Sequence, residues 1–375
     1  MASKKQAYRG CLLGLAVGDA MGYAVDSKSW EEILRDYGPD GLLGYDLVNG
    51  YADMTSYTQM ALYTVNGLLL GVTHGQRRGH MAPFVRYISV GLRDWSLGQH
   101  TYRSPDKCYC WISQVPETRR RRCMDTRMLD ILDRAKVGSM EEPLNQFDTP
   151  ASLTTAIPVG LFYDMERMSP DEIGRLGAEA VALAHGDPMT FLTGAVLAYV
   201  IAGIIQDTET PLKEHFTQAA EVVAAQFGRL YPQAVELKHL LSRARNLANG
   251  GMLSNHDAME HLKCTTAAEV LAGAMYVCLT SPEDFDHAMI TAVNHSGRSA
   301  AVGAVAGAIL GAKLGEDTLP EFYMECLETA DVIRELADDL IQGCPMAQRS
   351  KMFDDTWDQK YVQGKRVDQT GWAEE

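Results

Sequence analysis

"EIGRLGAEAVALAHGDPMTFLTGAVLAYVIAGIIQ", residues 172–206, decides the fold class. Leu, Ile, Val and Ala recur in it at the three-and-four spacing of a helix face, and nothing alternates with period two. The stretches "TAAEVLAGAMYVCL" (266–279) and "AAVGAVAGAILGAKLG" (300–315) repeat the pattern. They are rich in Gly and Ala, which let helices approach closely, and apolar nearly all round, which places them deep. Breaks are expected where Gly, Pro, Asn and Asp cluster: "YGPDGLLG" (37–44), "THGQRRGH" (73–80), "EEPLNQFDTPAS" (141–152), "HGDP" (185–188) and "TSPEDF" (280–285). In the last of these, Ser281 is read as a helix cap with Pro282 at the first helical position and acids in the first turn. No linker or internal repeat divides the chain. The reading is one all-α domain over 1–344 and a polar C-terminal tail, 345–375, which loses apolar periodicity from "CPMAQRSKMFDD" onward and is expected to be extended or partly mobile.

Composition sets outer limits. A chain of 375 residues can bury a sizeable core. With 49 acidic and 34 basic residues the net charge is −15, which argues against nonspecific binding to nucleic acid or anionic membranes. The N-terminal apolar stretch is interrupted by Gly14, Gly18 and Asp19. It reads as neither signal peptide nor membrane span, and no other segment is read as long and apolar enough to cross a membrane. Eight cysteines are too sparse for a disulfide scaffold and suggest a reducing, cytoplasmic setting.

Several constellations could carry chemistry. "GCLLGLAVGDAMGYAVD" (10–26) sets Asp19 and Asp26 beside glycines; a lone Asp there serves as a cap, a buried acceptor or an acid/base. "CYC" (108–110) with Cys123 matches no common zinc ligand spacing. "RRRR" (119–122) is a solvated face or a phosphate- or partner-docking patch. His185 sits at a helix break, as a structural or a functional histidine. "AVNHSGRSAAVGAVAGAILG" (292–311) opens a buried helix with a small-residue loop, a natural anion site, and holds Asn294, Ser296, Gly297, Arg298 and Ser299. "DMTSYTQMALYTV" (53–65) begins a helix with Thr55, Ser56, Tyr57 and Thr58, which suit either a cap or an oxygen-ligand site without acids.

Taken in order, these residues resemble the ADP-ribosylglycohydrolase family from about residue 8 to about residue 316. "YRGCLLGLAVGDAMGYAVD" follows the family's opening motif, and "TQMALYTVNGLLL" the helix after its first metal motif. "IPVGLFY" (157–163) follows its Pro-x-Gly segment, "AHGDP" its Thr-His-x-His-Pro turn, and 281–315 its C-terminal signature. The resemblance implies a compact orthogonal bundle of helices that hydrolyses the bond at the anomeric carbon of ADP-ribose. It also implies two Mg²⁺ or Mn²⁺ ions, held by a Thr-Asp-Asp-Thr run and an Asp-x-Asp-Thr/Ser run.

Here those acids are missing. The first run reads Thr55-Ser56-Tyr57-Thr58 and the second Arg298-Ser299-Ala300-Ala301. Thr154-Thr155 stands for the usual Met-Arg, Asp187 for the second His, and Asp26 for the early Glu. At an effective dielectric of 20, exchanging one Asp for Arg turns an attraction of roughly 4 kcal/mol per unit of cation charge at 4 Å into a comparable repulsion. No metal cofactor is expected. Three functions then compete. The first is a pseudo-hydrolase that binds ADP-ribose or a related nucleotide through Thr55, Ser56, Tyr57, His185, Asn294, Ser296, Gly297, Arg298 and Ser299. The second is a metal-independent hydrolase using Asp26 or Asp19, with Asp53 and His185 as further candidates and Arg298 stabilising developing charge. The third is a scaffold docking a protein partner through "RRRR" or the Trp-containing tail.

Overall fold

Glycine at every fourth position decides which helices meet. The computed structural model describes residues 3–100, 108–134, 136–162, 168–346 and 354–367. Helix α1 (Lys4–Tyr23) carries Gly10, Gly14, Gly18 and Gly22 along one stripe. A Cβ added at Gly10, Gly14 or Gly18 would lie 2.2, 2.2 or 1.9 Å from the carbonyl oxygens of Gly311, Gly307 and Gly303. Gly22 meets Ala300 in the same way. Only bare backbone fits between the two helices. Partner numbers fall as α1 advances, so the pair is antiparallel, and the end of α1 abuts the start of the helix Ser299–Leu314.

Around this pair, α2 (Trp30–Tyr37), α3 (Ser56–Arg78), α4 (Phe84–Gln99), α5 (Arg127–Leu132) and α6 (Ala156–Leu161) complete the N-terminal half. Helices α7 (Pro170–Ala182), α8 (Pro188–Gln206), α9 (Leu212–Phe227), α10 (Gln233–Gly250), α11 (Asn255–Leu262) and α12 (Ala267–Thr280) follow. The chain continues through α13 (Phe285–Val293), α14 (Ser299–Leu314), α15 (Glu321–Cys326), α16 (Ala330–Gln342) and α17 (Asp355–Tyr361). Among the described residues the only β pairings are two isolated bridges, Val48–Tyr51 and Ala52–Leu327. The fold is all-α. One hydrophobic cluster runs from Tyr8 to Tyr361, with α8, α12 and α14 buried over most of their length.

Four expectations are corrected. Residues 73–78 continue α3, which stops only at Gly79 in the left-handed conformation. The cap of α13 is Asp284, accepting from His287 N, and Ser281 and Pro282 lie in the preceding turn. Helix α8, at 19 residues and mean hydropathy 1.9, is long and apolar enough to cross a membrane, but most of it is buried in this core. Finally, 354–367 is not an extended tail. Helix α17 docks with Trp357 and Tyr361 buried, Trp357 Nε1 donating to Thr73 Oγ1 at 2.9 Å. Lys360 is enclosed with Glu335 (2.8 Å) and Asp339 and lies 5.1 Å from the centre of the Trp111 ring.

Candidate functional site

The close approach of α1 and α14 brings three distant stretches together: the end of α1, the start of α3 and the start of α14. Asp19, fully buried, receives four hydrogen bonds from the start of α3. Thr55 N (2.8 Å) and Oγ1 (2.6 Å) donate to it, as do Thr58 N (3.0 Å) and Oγ1 (2.6 Å). Burial raises its carboxyl to about 6 against the pull of those donors. Both oxygens are engaged, so Asp19 anchors α3 and is withdrawn as a catalytic candidate. Thr55 also accepts from Tyr57 N (3.2 Å), and Ser56 Oγ from Met124 N (3.1 Å). The Thr55 and Thr58 hydroxyls give their protons to Asp19, and Ser56 Oγ joins the start of α3 to Met124 as an acceptor.

Asp26 lies beyond α1 with its side chain 5% exposed. Its Oδ1 accepts from Ala300 N at 3.0 Å, so a carboxylate of this chain takes the amino end of α14 that was expected to receive an anion. Arg298 Nη1 stands 3.4 Å from Asp26 Oδ2 and donates to Ser27 Oγ at 2.8 Å, while Nη2 reaches Met124 O at 3.5 Å. Burial raises the Asp26 carboxyl and the Arg298 guanidinium opposes that rise. Tyr57 is fully buried, and the Arg298 guanidinium is the side-chain hydrogen-bonding neighbour of its hydroxyl. Asp26 and Arg298 both act on it electrostatically, and burial drives its pKa well up. The two runs thus converge here: Tyr57 from one and Arg298 from the other, with Asp26 beside Arg298.

Other predicted site residues are spent on structure. Asn294 accepts from Leu42 N (2.8 Å) and donates to Leu42 O (2.9 Å) and Ile290 O (2.8 Å). Ser296 Oγ accepts from Trp30 N (3.0 Å), Ser299 Oγ donates to His295 O (3.3 Å), and Gly297 fits where a Cβ would strike Lys263 O. His185 is fully buried, with Nδ1 2.7 Å from Ser152 Oγ and Nε2 2.9 Å from Thr149 Oγ1. Thr149 in turn donates to Asp125 Oδ2 at 2.8 Å, so Nε2 is assigned the proton. Burial lowers this imidazole to about 4. Asp187 caps α8 through Thr190 N. Asn294, Ser296, Gly297, Ser299 and His185, expected as ligand contacts, are corrected to framework.

Arg122, 10% exposed, binds Asp53 Oδ1 (2.8 Å), Glu328 Oε2 (2.6 Å) and Met54 O (3.0 Å). Arg120 also pairs with Glu328. Half of the "RRRR" run, Arg120 and Arg122, therefore ties Asp53 and the start of α3 to Glu328 in the turn before α16, with Arg122 buried and Arg120 half-exposed. Sequence reading missed Ser27, Met124 and Glu328. Ser27 and Met124 carry no motif, while the arginine run was a pointer to a buried acid such as Glu328. Strain gathers here too: Ser27, Lys263 and Cys264 have φ of 63°, 62° and 54°, and Cys264 O accepts from Arg298 N (2.8 Å). Cys11, Cys110, Cys123, Cys264, Cys278, Cys326 and Cys344 are free thiols.

Two hard divalent cations would ask for several carboxylates at one point. The walls here offer one carboxylate already engaged by a guanidinium, a phenol and the methyl groups of Ala300 and Ala301. Among the described residues no three His, Cys, Asp or Glu side chains converge. These residues do not suit such ions. What they can do is exchange hydrogen bonds with a polar ligand.

Known proteins agree with this architecture. The family model described as ADP-ribosylglycohydrolase matches residues 1–350. An uncharacterized protein of Archaeoglobus fulgidus is 24% identical over 349 residues, covering 90% of this chain and 97% of its own. A solved structure described as an ADP-ribosylglycohydrolase-related protein complex superposes with a TM-score of 0.59 at 20% identity, covering 90% of this chain and 98% of that one.

Proposed function

Because the chain belongs to the ADP-ribosylglycohydrolase family, we propose that it binds ADP-ribose or a related nucleotide without a metal pair and does not hydrolyse it. The observation that carries this reading is the convergence of Tyr57, Asp26 and Arg298 at the ends of α3, α1 and α14. A guanidinium stands where the family's motifs bring cations. The Arg298 guanidinium bonds Ser27 Oγ at 2.8 Å, while its contacts to Asp26 and Met124 O are long, 3.4 and 3.5 Å, and can give way to ligand oxygens. The remaining candidate acids and bases favour binding over turnover: Asp19 and His185 are fully engaged, and Asp53 is paired with Arg122.

Calorimetric titration tests the reading. ADP-ribose should bind wild type with EDTA present, Mg²⁺ or Mn²⁺ alone should give no pair of tight sites, and Arg298→Ala should weaken ADP-ribose by about tenfold, roughly 1.4 kcal/mol. Two tight metal sites, or no heat with ADP-ribose, would end it. One observation favours residual hydrolysis instead: burial raises the Asp26 carboxyl, as suits a general acid. Turnover of ADP-ribosyl-arginine or ADP-ribosyl-serine peptides in EDTA, abolished by Asp26→Asn, would put that reading first.

A further inference from the structure

We infer that a cavity between α9, α10 and α12 binds a small carboxylate carried on a short apolar stem, with Arg245 and Lys238 as the groups that recognise it. The cavity shares no residue with the cleft at the ends of α1, α3 and α14. Two ties across the antiparallel pair α9 and α10 bound it. At one end Lys238 Nζ stands 3.6 Å from Glu221 Oε1, and at the other Arg245 Nη1 donates to Thr217 Oγ1 at 3.2 Å. Lys238, Ser242 and Arg245 follow one another along one face of α10, as Thr217 and Glu221 do along α9. A hydroxyl thus stands where the second tie would want an acid. Arg245 is half-buried, and among the described residues no carboxylate pairs with it, in a chain of 49 acidic and 34 basic residues. A guanidinium partly withdrawn from water without a counter-charge is held at a cost that an anionic ligand would offset.

Size and lining decide which anion. The cavity measures about 80 Å³, far below the roughly 300–1,000 Å³ of a site that encloses a nucleotide. Its floor is apolar, made by the buried side chains of Phe216, Leu241 and Met275. The hydroxyls on its walls have given their protons away: Thr217 Oγ1 donates to Lys213 O at 2.7 Å, and Ser242 Oγ to Lys238 O at 2.9 Å. The donors left for an anion are the Arg245 fork and the Lys238 ammonium. Two coplanar carboxylate oxygens match the fork and let the stem lie on the floor. A phosphate would turn its further oxygens towards the two spent hydroxyls and Glu221. Lys238 and Glu221 are 40% and 58% exposed, so their long pair is weak and Lys238 can turn to the ligand. Arg245 and Lys238 against Glu221 leave one net positive charge, which a single carboxylate balances.

Isobutyrate is the probe, set beside isobutyramide, a neutral molecule of nearly the same shape, and inorganic phosphate. In the full chain labelled at its methionine methyls, the Met275 resonance, identified by its loss in Met275→Leu, reports on the cavity floor by nuclear magnetic resonance. Isobutyrate should shift it saturably in wild type, with a dissociation constant in the millimolar range expected of so few atoms. Isobutyramide and phosphate should each bind about tenfold more weakly or worse, and Arg245→Gln should weaken isobutyrate by a similar factor. Arg245→Lys keeps the charge but loses the fork, so its affinity should fall between those of wild type and Arg245→Gln. Both variants should melt close to wild type without ligand, because Arg245 ties only Thr217. The absence of a saturable shift in wild type, an unchanged affinity in Arg245→Gln, or isobutyramide or phosphate binding as tightly as isobutyrate would each overturn the assignment.

Discussion

A buried carboxylate can look catalytic in a sequence and prove structural once its partners are counted. Asp19 accepts from two amides and two hydroxyls of α3, which accounts for both of its oxygens. Asp19→Asn would turn an amide N–H₂ towards some of those donors and leave them unpaired. The expected loss is about 2–4 kcal/mol in urea unfolding. A loss below about 1 kcal/mol would mean that α3 is held by other means. Tyr57 and Arg298 were legible in advance, because each stands in a family motif at a position that usually holds an acid. The structural engagement of His185, Asn294 and Ser296 was not. Whether such a residue faces a ligand or satisfies a loop depends on backbone groups far away in sequence, such as Leu42 for Asn294 and Trp30 for Ser296.

Between helices, the stripe of small residues determines what is tolerated. A side chain at Gly14 would begin 2.2 Å from a carbonyl oxygen of Gly307, and backbone cannot step aside as a flexible side chain can. Gly14→Val should therefore cost more than about 3 kcal/mol, or leave no folded protein, since overpacking a tight contact already costs 1–3. Gly44 has no atom within 4 Å of its would-be Cβ, so Gly44→Ala should lie within about 0.5 kcal/mol of wild type in the same unfolding assay. The long apolar helices α8, α12 and α14 were readable because their periodicity runs for 14 residues or more. Helix α17 was not. In seven residues it offers only Trp357 and Tyr361 as an apolar pair one turn apart, and its buried Lys360 reads as a surface residue until Glu335 and Asp339 are seen around it. The continuation of α3 through Gly75 was hidden for a related reason: glycine clusters mark both chain breaks and close helix contacts, and here Met81 packs against it.

Across the whole molecule, buried titratable groups set how stability responds to pH. His185 and His295 are both lowered from 6.5 to about 4 by burial. In that window the unfolded chain binds more protons at each, so stability is full above about 6.5 and is lost as pH falls towards 4, by roughly 3 kcal/mol per imidazole. Asp19, raised from 3.8 to about 6, works the other way. The folded chain holds its proton longer, so stability is greatest at the acid end and declines by roughly 3 kcal/mol as pH rises through 6. Smaller shifts fall on both sides, with Asp26 and Asp339 raised and His74 and His215 lowered. Two imidazoles against one carboxyl leave a net loss of roughly 3 kcal/mol on acidification from pH 6.5 to 4. Denaturant unfolding at half-unit steps across this range should show that decline. The partners of His295 make the assignment separable: its Nε2 lies 3.0 Å from Ala292 O and its Nδ1 accepts from Gly297 N at 2.9 Å. A His295→Gln variant no longer titrates there, and its stability should be nearly flat over the same interval. A wild-type profile that instead rises towards pH 4 would mean that Asp19 and the other buried carboxyls outweigh the histidines.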